Sequence, residues 1–141
     1  MTRDEIVAKL TEHGSAFGRR DPEAIAATHA PDGTFESPAH GVLRGRAAIA
    51  DMYRYWFAAF PDLELTWTHA IVDGPRAAVF WKFSGTSQGP FFGVVGAGTR
   101  VDMNGAAEYV FEDAGIQSVR HIFDFSGVLV KTGVLKVKPG S

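Results

Sequence analysis

Between Gly45 and Pro61 the apolar residues Ile49, Met52, Tyr53, Trp56, Phe57 and Phe60 recur at alternating steps of three and one. That period predicts a helix with a wide, strongly aromatic stripe, ended by Pro61. Such a face cannot remain in water, so the helix must lie on another apolar layer. The chain after it supplies one. Leu63, Leu65, Trp67, His69 and Ile71 alternate as one face of a strand. Asp73-Gly74-Pro75-Arg76 is a turn, and Ala77 to Ser84 is apolar on both faces, as a central strand is. Gly85 to Thr99 is a Gly-rich loop holding Phe91 and Phe92. Arg100 to Glu112 and Ile116 to Phe125 are two further strands around the turn Asp113-Ala114-Gly115. Gly127 to Lys131 forms a last helical turn, and Lys138-Pro139-Gly140-Ser141 a frayed tail.

Ahead of the striped helix the sequence predicts two more. Thr2-Arg3-Asp4-Glu5 is a capping box, and Ile6, Leu10, His13 and Phe17 follow on one helical face, which Gly18 is expected to close. Asp21-Pro22 opens a second, short helix that stops near Ala30. Thr34 to Ser37 is a short strand broken by Pro38, and Ala39-His40-Gly41 a loop. Helices first and antiparallel strands after them make an α+β chain. If the sheet curves, the two layers enclose a cavity, which becomes the natural ligand site. A chain of 141 residues with no repeat and no linker is one domain, 1–141.

Composition excludes several functions. There is no cysteine, so neither disulfides nor thiolate chemistry arise. The five histidines are scattered without metal-ligand spacing, and no metal or cofactor is expected. Net charge is −2 and no basic cluster exceeds Gly18-Arg19-Arg20, which argues against nucleic acid and anionic membranes as partners. No apolar run approaches the ~20 residues of a membrane span, and no secretory signal is visible. A cytoplasmic protein is expected. Eleven Phe, three Trp and three Tyr exceed what a filled core of this size needs, and favour a lined cavity for a small apolar molecule.

Asp124 lies between Phe123 and Phe125 at the end of the last strand. Pointing inward, it would lose water and its pKa would rise toward that of a neutral-pH acid/base. Pointing outward, it would cap the turn at Ser126-Gly127. His13, on an apolar helix face, is either a satisfied core histidine or a donor to a substrate carbonyl. By strand alternation His121 takes the face opposite Asp124, and so is expected to face solvent or a partner. His40 either closes the pocket mouth or is solvated. Trp56, Phe60, Trp81, Phe83 and Phe91 are candidate cavity walls. Phe17, Tyr53 and Asn104 complete the candidate substrate-binding set, although strand parity lets only one of Asn104 and Tyr109 look inward.

Four stretches carry a resemblance that spans nearly the whole chain: Leu43-Arg44-Gly45-Arg46, Ala59-Phe60-Pro61-Asp62-Leu63, the loop from Phe83 to Gly93, and Tyr109 to Ile116 followed by Phe123-Asp124-x-x-Gly-Val-Leu. In that order they resemble the SnoaL-like polyketide cyclase and ester cyclase family of the NTF2-like superfamily. The resemblance implies a cone: three N-terminal helices packed on a strongly curved, mainly antiparallel sheet enclosing a pocket. It also implies a homodimer through the sheet's outer face. It makes Asp124 the general acid/base of a cofactor-independent, aldol-type cyclisation or isomerisation of an apolar or polycyclic carbonyl compound. The chain departs from the family in placing Ser87 where the loop histidine stands and Phe80 where an arginine is frequent. A non-catalytic ligand-binding or dimerisation module, and an epoxide or ester hydrolase, are the alternatives. Ketosteroid isomerases of the same fold carry their acid and base groups at positions that here hold His13, Ser37 and Ala107, so isomerisation of steroids is disfavoured. Arg100 and Asp102 read as a surface pair rather than an epoxide-hydrolase set.

Overall fold

In the computed structural model, which describes residues 1–139, the chain is a curved sheet with helices laid across its concave face. The expected tail Lys138-Pro139-Gly140-Ser141 falls partly outside the described residues. Helix α1 (Arg3–Gly18) starts with the predicted capping box, both reciprocal Thr2–Glu5 bonds being formed. Gly18 is still helical. The turn is made by Arg20, whose φ of 57° lies in the left-handed region, while its guanidinium is tied to the carbonyls of Pro61 and Leu63. Three anchoring contacts, the third being the Phe57 ring 4.9 Å away, offset the strain that a glycine would have avoided. Helix α2 (Pro22–Ala27) has Asp21 as N-cap, accepting from the amides of Glu23 and Ala24.

Strand β1 (His29–Ser37) begins five residues earlier than the alternation suggested, and β2 (Gly41–Arg44) pairs back onto it. Helix α3 (Arg46–Ala59) buries Ile49, Met52, Tyr53 and Trp56, with Phe60 as its C-cap. The remaining strands are β3 (Glu64–Asp73), β4 (Arg76–Ser87), β5 (Pro90–Phe91), β6 (Val94–Val95), β7 (Thr99–Glu112) and β8 (Gly115–Phe123), followed by α4 (Phe125–Lys131). The main sheet runs β2-β1-β8-β7-β4-β3, antiparallel except for the β1–β8 pair. The Gly-rich loop folds into the small β5–β6 hairpin.

One register shift changes the predicted inner face. Trp67 pairs with Trp81 but His69 pairs with Phe80, so Thr68 is an inserted residue. Past such a bulge every side chain changes sides. Leu65 and Trp67 therefore face inward with Trp81 and Phe83, whereas His69 and Ile71 turn outward beside Phe80 and Ala78, correcting the single face expected from alternation.

Candidate functional site

The concave face of the sheet and α3 enclose a cavity of about 70 Å³. Its walls come from inward positions of each strand and from the stripe of α3. Phe35 and Ser37 project from β1, Trp81 and Phe83 from β4, and Tyr53 and Trp56 from α3. Phe17, Phe57, Leu65, Met103, His121 and Phe123 line it while remaining partly exposed, and so form its mouth. No Asp, Glu, Lys or Arg lines it among the described residues. The polar groups that reach it belong to Ser37, Tyr53, Trp81 and His121.

His121 enters through the register of β8. It pairs with Ala107 of β7, and its neighbour Phe123 pairs with Gly105. A Cβ at Gly105 would stand 2.2 Å from the Trp81 ring, so only glycine lets that indole lie across β7. Lying there, Trp81 donates its Nε1–H to His121 Nδ1 at 3.2 Å. A nitrogen that accepts carries no proton, so the neutral ring is the Nε2–H tautomer. Burial, with the nearby His29 adding to it, pushes the His121 pKa down to about 4. Near neutral pH the cavity thus holds an uncharged imidazole donor of fixed tautomer. Phe35 packs against both His121 (5.0 Å between ring centroids) and Tyr53 (5.9 Å), so the two polar rings share one wall. Burial raises the Tyr53 pKa and keeps its hydroxyl protonated. Ser37 accepts from the His40 amide at 3.2 Å, leaving its own proton to donate.

The profile of the SnoaL-like polyketide cyclase family matches residues 9–131. The chain belongs to that family. Among solved structures it is similar to AclR of Streptomyces galilaeus, a candidate hydroxylase, at 27% identity and a TM-score of 0.81 over 98% of this chain and 87% of that one. TsrD of Streptomyces laurentii is 24% identical, with a TM-score of 0.80 over 96% of this chain and 99% of its own. A candidate SnoaL-like polyketide cyclase from Jannaschia sp. CCS1 is 23% identical, with a TM-score of 0.77 over 93% and 91%. No protein of curated function matches the sequence. The NTF2-like cone expected from the sequence is the fold that these neighbours and other NTF2-like structures share.

Within this SnoaL-like cone, five of the candidate wall residues line the cavity: Phe17, Tyr53, Trp56, Trp81 and Phe83. Phe60 and Phe91 stand one layer behind, packed on Trp56 at 5.8 and 5.1 Å between ring centroids. Asn104 is exposed on the outer face, because Met103 and Gly105 hold the inward positions of β7 and Tyr109 shares their parity. Arg100 and Asp102 form the expected surface pair, 3.6 Å apart.

His13 is buried, but under the sheet end rather than in the cavity. Its Nδ1 bonds Thr28 Oγ1 at 2.7 Å, and its ring stacks on Trp67 and meets His29 and Tyr109 edge-on. Burial first, then the neighbouring histidines, hold its pKa well below the ordinary value. The core-histidine alternative describes it.

Asp124 is exposed and caps α4. It accepts from the Gly127 amide at 2.9 Å and from the Ser126 hydroxyl at 3.0 Å, and those bonds lower its pKa. The raised pKa that an inward Asp124 would show is therefore not found. Its neighbour in alternation, His121, takes the inward place instead, which corrects the expectation that His121 faces solvent or a partner. A sequence signal for this parity existed: Arg120 in β8 and Asp124 just past its end have one parity, while Val119, His121 and Phe123 have the other. A pair of charges is the worse set to bury.

Proposed function

We propose that the chain is an enzyme acting on a small, uncharged carbonyl compound, with His121 donating its Nε2–H to the carbonyl oxygen. The single observation that supports this is the neutral imidazole held by Trp81 in a mostly apolar cavity free of charged side chains among the described residues. A donor already fixed in a water-poor site stabilises the negative charge that develops on that oxygen, and needs no reorganisation as the bond forms. The hydroxyls of Ser37 and Tyr53 are further donors in the same cavity. No ionised base lines it among the described residues, so the substrate brings its own nucleophile as an enol. In an aldol-type closure the enol carbon bonds the carbonyl carbon. The carbonyl π pair moves to oxygen, and the enol proton ends on that oxygen. Asp124, in this reading, holds α4 in place and takes no part in proton transfer.

Size narrows the substrate further. The cavity is under half of the roughly 150 Å³ that accommodates benzene in an engineered protein core. Any ligand of benzene's size or larger, acetylacetone and a polycycle alike, requires the mouth side chains Phe17, Phe57, Leu65 and Met103 to swing outward.

The test pairs binding with turnover. Acetylacetone, a small enolised diketone, is titrated while the His121 Nε2 resonance is followed, with benzoate as the charged control. Intramolecular closure of a linear triketone is then compared in His121→Phe and Asp124→Asn. Loss of about 10²–10³-fold in the His121 variant alone is the expected result, as for removal of one oxyanion donor. Loss confined to the Asp124 variant returns the chemistry to the carboxylate. Binding without closure in the wild type returns the protein to the non-catalytic ligand-binding reading. The assembly we infer is a homodimer through the outer sheet face, where Ile71, Phe80 and Ile122 are 54%, 43% and 59% exposed.

A further inference from the structure

His40 touches the cavity at two points without lining it. The chain turns after Pro38, so that the His40 amide donates to Ser37 Oγ at 3.2 Å. Its ring is half-buried, and Nε2 accepts the Trp56 indole N–H at 2.9 Å. Ser37 and Trp56 both line the cavity. The other side of the ring packs on Phe92, at 5.7 Å between centroids, and meets Tyr55 edge-on at 5.9 Å. Phe92 is itself held in an unusual state. Its φ is +47°, a costly value for a bulky residue, and its amide donates to the Tyr55 hydroxyl at 2.6 Å. Phe92 then packs on Phe125 at the start of α4. One imidazole therefore joins the β1–β2 turn, α3, the β5–β6 hairpin and α4 around the end wall of the cavity.

We propose that His40 is a positioning residue of this cavity, which sets the place of the Trp56 wall through its acceptor nitrogen and releases it on protonation. The proposal rests on the cavity being the ligand site. A neutral His40 with its proton on Nδ1 offers Nε2 to Trp56. A protonated His40 carries hydrogen on both nitrogens, so two donors face each other across 2.9 Å and one ring must turn away. The groups facing the ring are Tyr55 and Trp56 of α3 and Phe92 of the hairpin, with Ser37 at its amide. None is a carboxylate that would hold the imidazolium in place. Burial lowers the His40 pKa from its ordinary value. Burial pushes His29 and His121 down to about 4.

The test follows the Trp56 indole N–H in proton–nitrogen spectra between pH 7.5 and 5, assigned with Trp56→Phe. In the wild type this resonance is expected to shift in step with the His40 ring protons. Acetylacetone affinity falls about five- to tenfold over the same range, the effect of one lost hydrogen bond. His40→Gln, which keeps an acceptor but does not titrate, is expected to give a flat profile. His40→Phe is expected to show the acid-form indole shift already at pH 7.5. An indole resonance that ignores the His40 titration, or that is wild-type in His40→Phe, overturns the proposal. Because the indole is read without ligand, failure of acetylacetone to bind counts against the ligand-site reading and leaves the indole result to decide the role of His40.

Discussion

At the scale of single residues, the chemistry of this cone turns on which ionisable groups are denied water. His29 is fully buried, and neither of its ring nitrogens has a partner among the described residues. Burial first, with the Arg46 charge adding to it, pushes its pKa down to about 4, the value His121 also reaches. The sign follows directly. Below pH ~6.5 the unfolded chain takes up protons that these folded imidazoles, buried His13 among them, refuse, so stability falls as pH drops from ~6.5 toward about 4. His29 and His121 each contribute a loss of up to about 3 kcal/mol across that window. Asp124 adds in the same direction, its stabilising capped form being lost as pH falls through its lowered pKa. Urea midpoints should therefore decline between pH 7 and 4.5. His29→Phe, which removes one of the refusing groups, should flatten the decline. An unchanged slope in that variant would show that His29 is not held neutral by burial.

At the scale of elements, β7 and α4 carry the two substitutions that separate structure from chemistry. Gly105→Ala places a methyl inside the Trp81 ring contact, an overpacking that costs about 1–3 kcal/mol. It should also free His121 Nδ1, visible as a change in the tautomer-sensitive nitrogen shifts of that ring. A variant that is destabilised with its His121 shifts intact would mean that Trp81 does not hold the tautomer. Asp124→Ala removes the N-cap of α4 and should lower stability. Because Phe125 at the head of α4 packs on Phe92, loosening of the β5–β6 hairpin should accompany that loss, measurable as faster amide exchange at Phe92. The elements themselves were largely legible in the sequence: the α3 stripe, the Thr2 capping box and the Asp21-Pro22 helix start all form as their residue patterns require. The bulge at Thr68 was not legible, since an inserted residue leaves each half of β3 with an acceptable alternation. Nor was the full length of β1, whose first residues pair in parallel with β8, far away in sequence.

At the scale of the whole molecule, the outer face of the sheet is the surface left unaccounted for. The row His69, Phe80, Ala106 and Ile122 runs straight across four strands, and Ile71 stands beside it. Light scattering after size exclusion is expected to give a dimer for the wild type and a monomer for Phe80→Asp, which sets a like charge against its twin. A wild-type monomer at micromolar concentration would remove this face as a subunit contact. No helix among the described residues is long and apolar enough to cross a membrane.

By itself the sequence determined the α+β order, the aromatic stripe of α3 and the family, because each rests on local periodicity or on motifs contiguous in the chain. Which way the last strand faces was decided only by tertiary structure. Asp124 and His121 compete for the inside through strand parity, and parity is settled by pairing: Tyr109 against Val119, Ala107 against His121, Gly105 against Phe123. Burying an imidazole that can be neutral costs less than burying a carboxylate, and Gly105 leaves room for the indole that satisfies it. That balance involves strands distant in sequence, so the charges of Arg120 and Asp124 hint at it but no stretch of the chain read alone decides it.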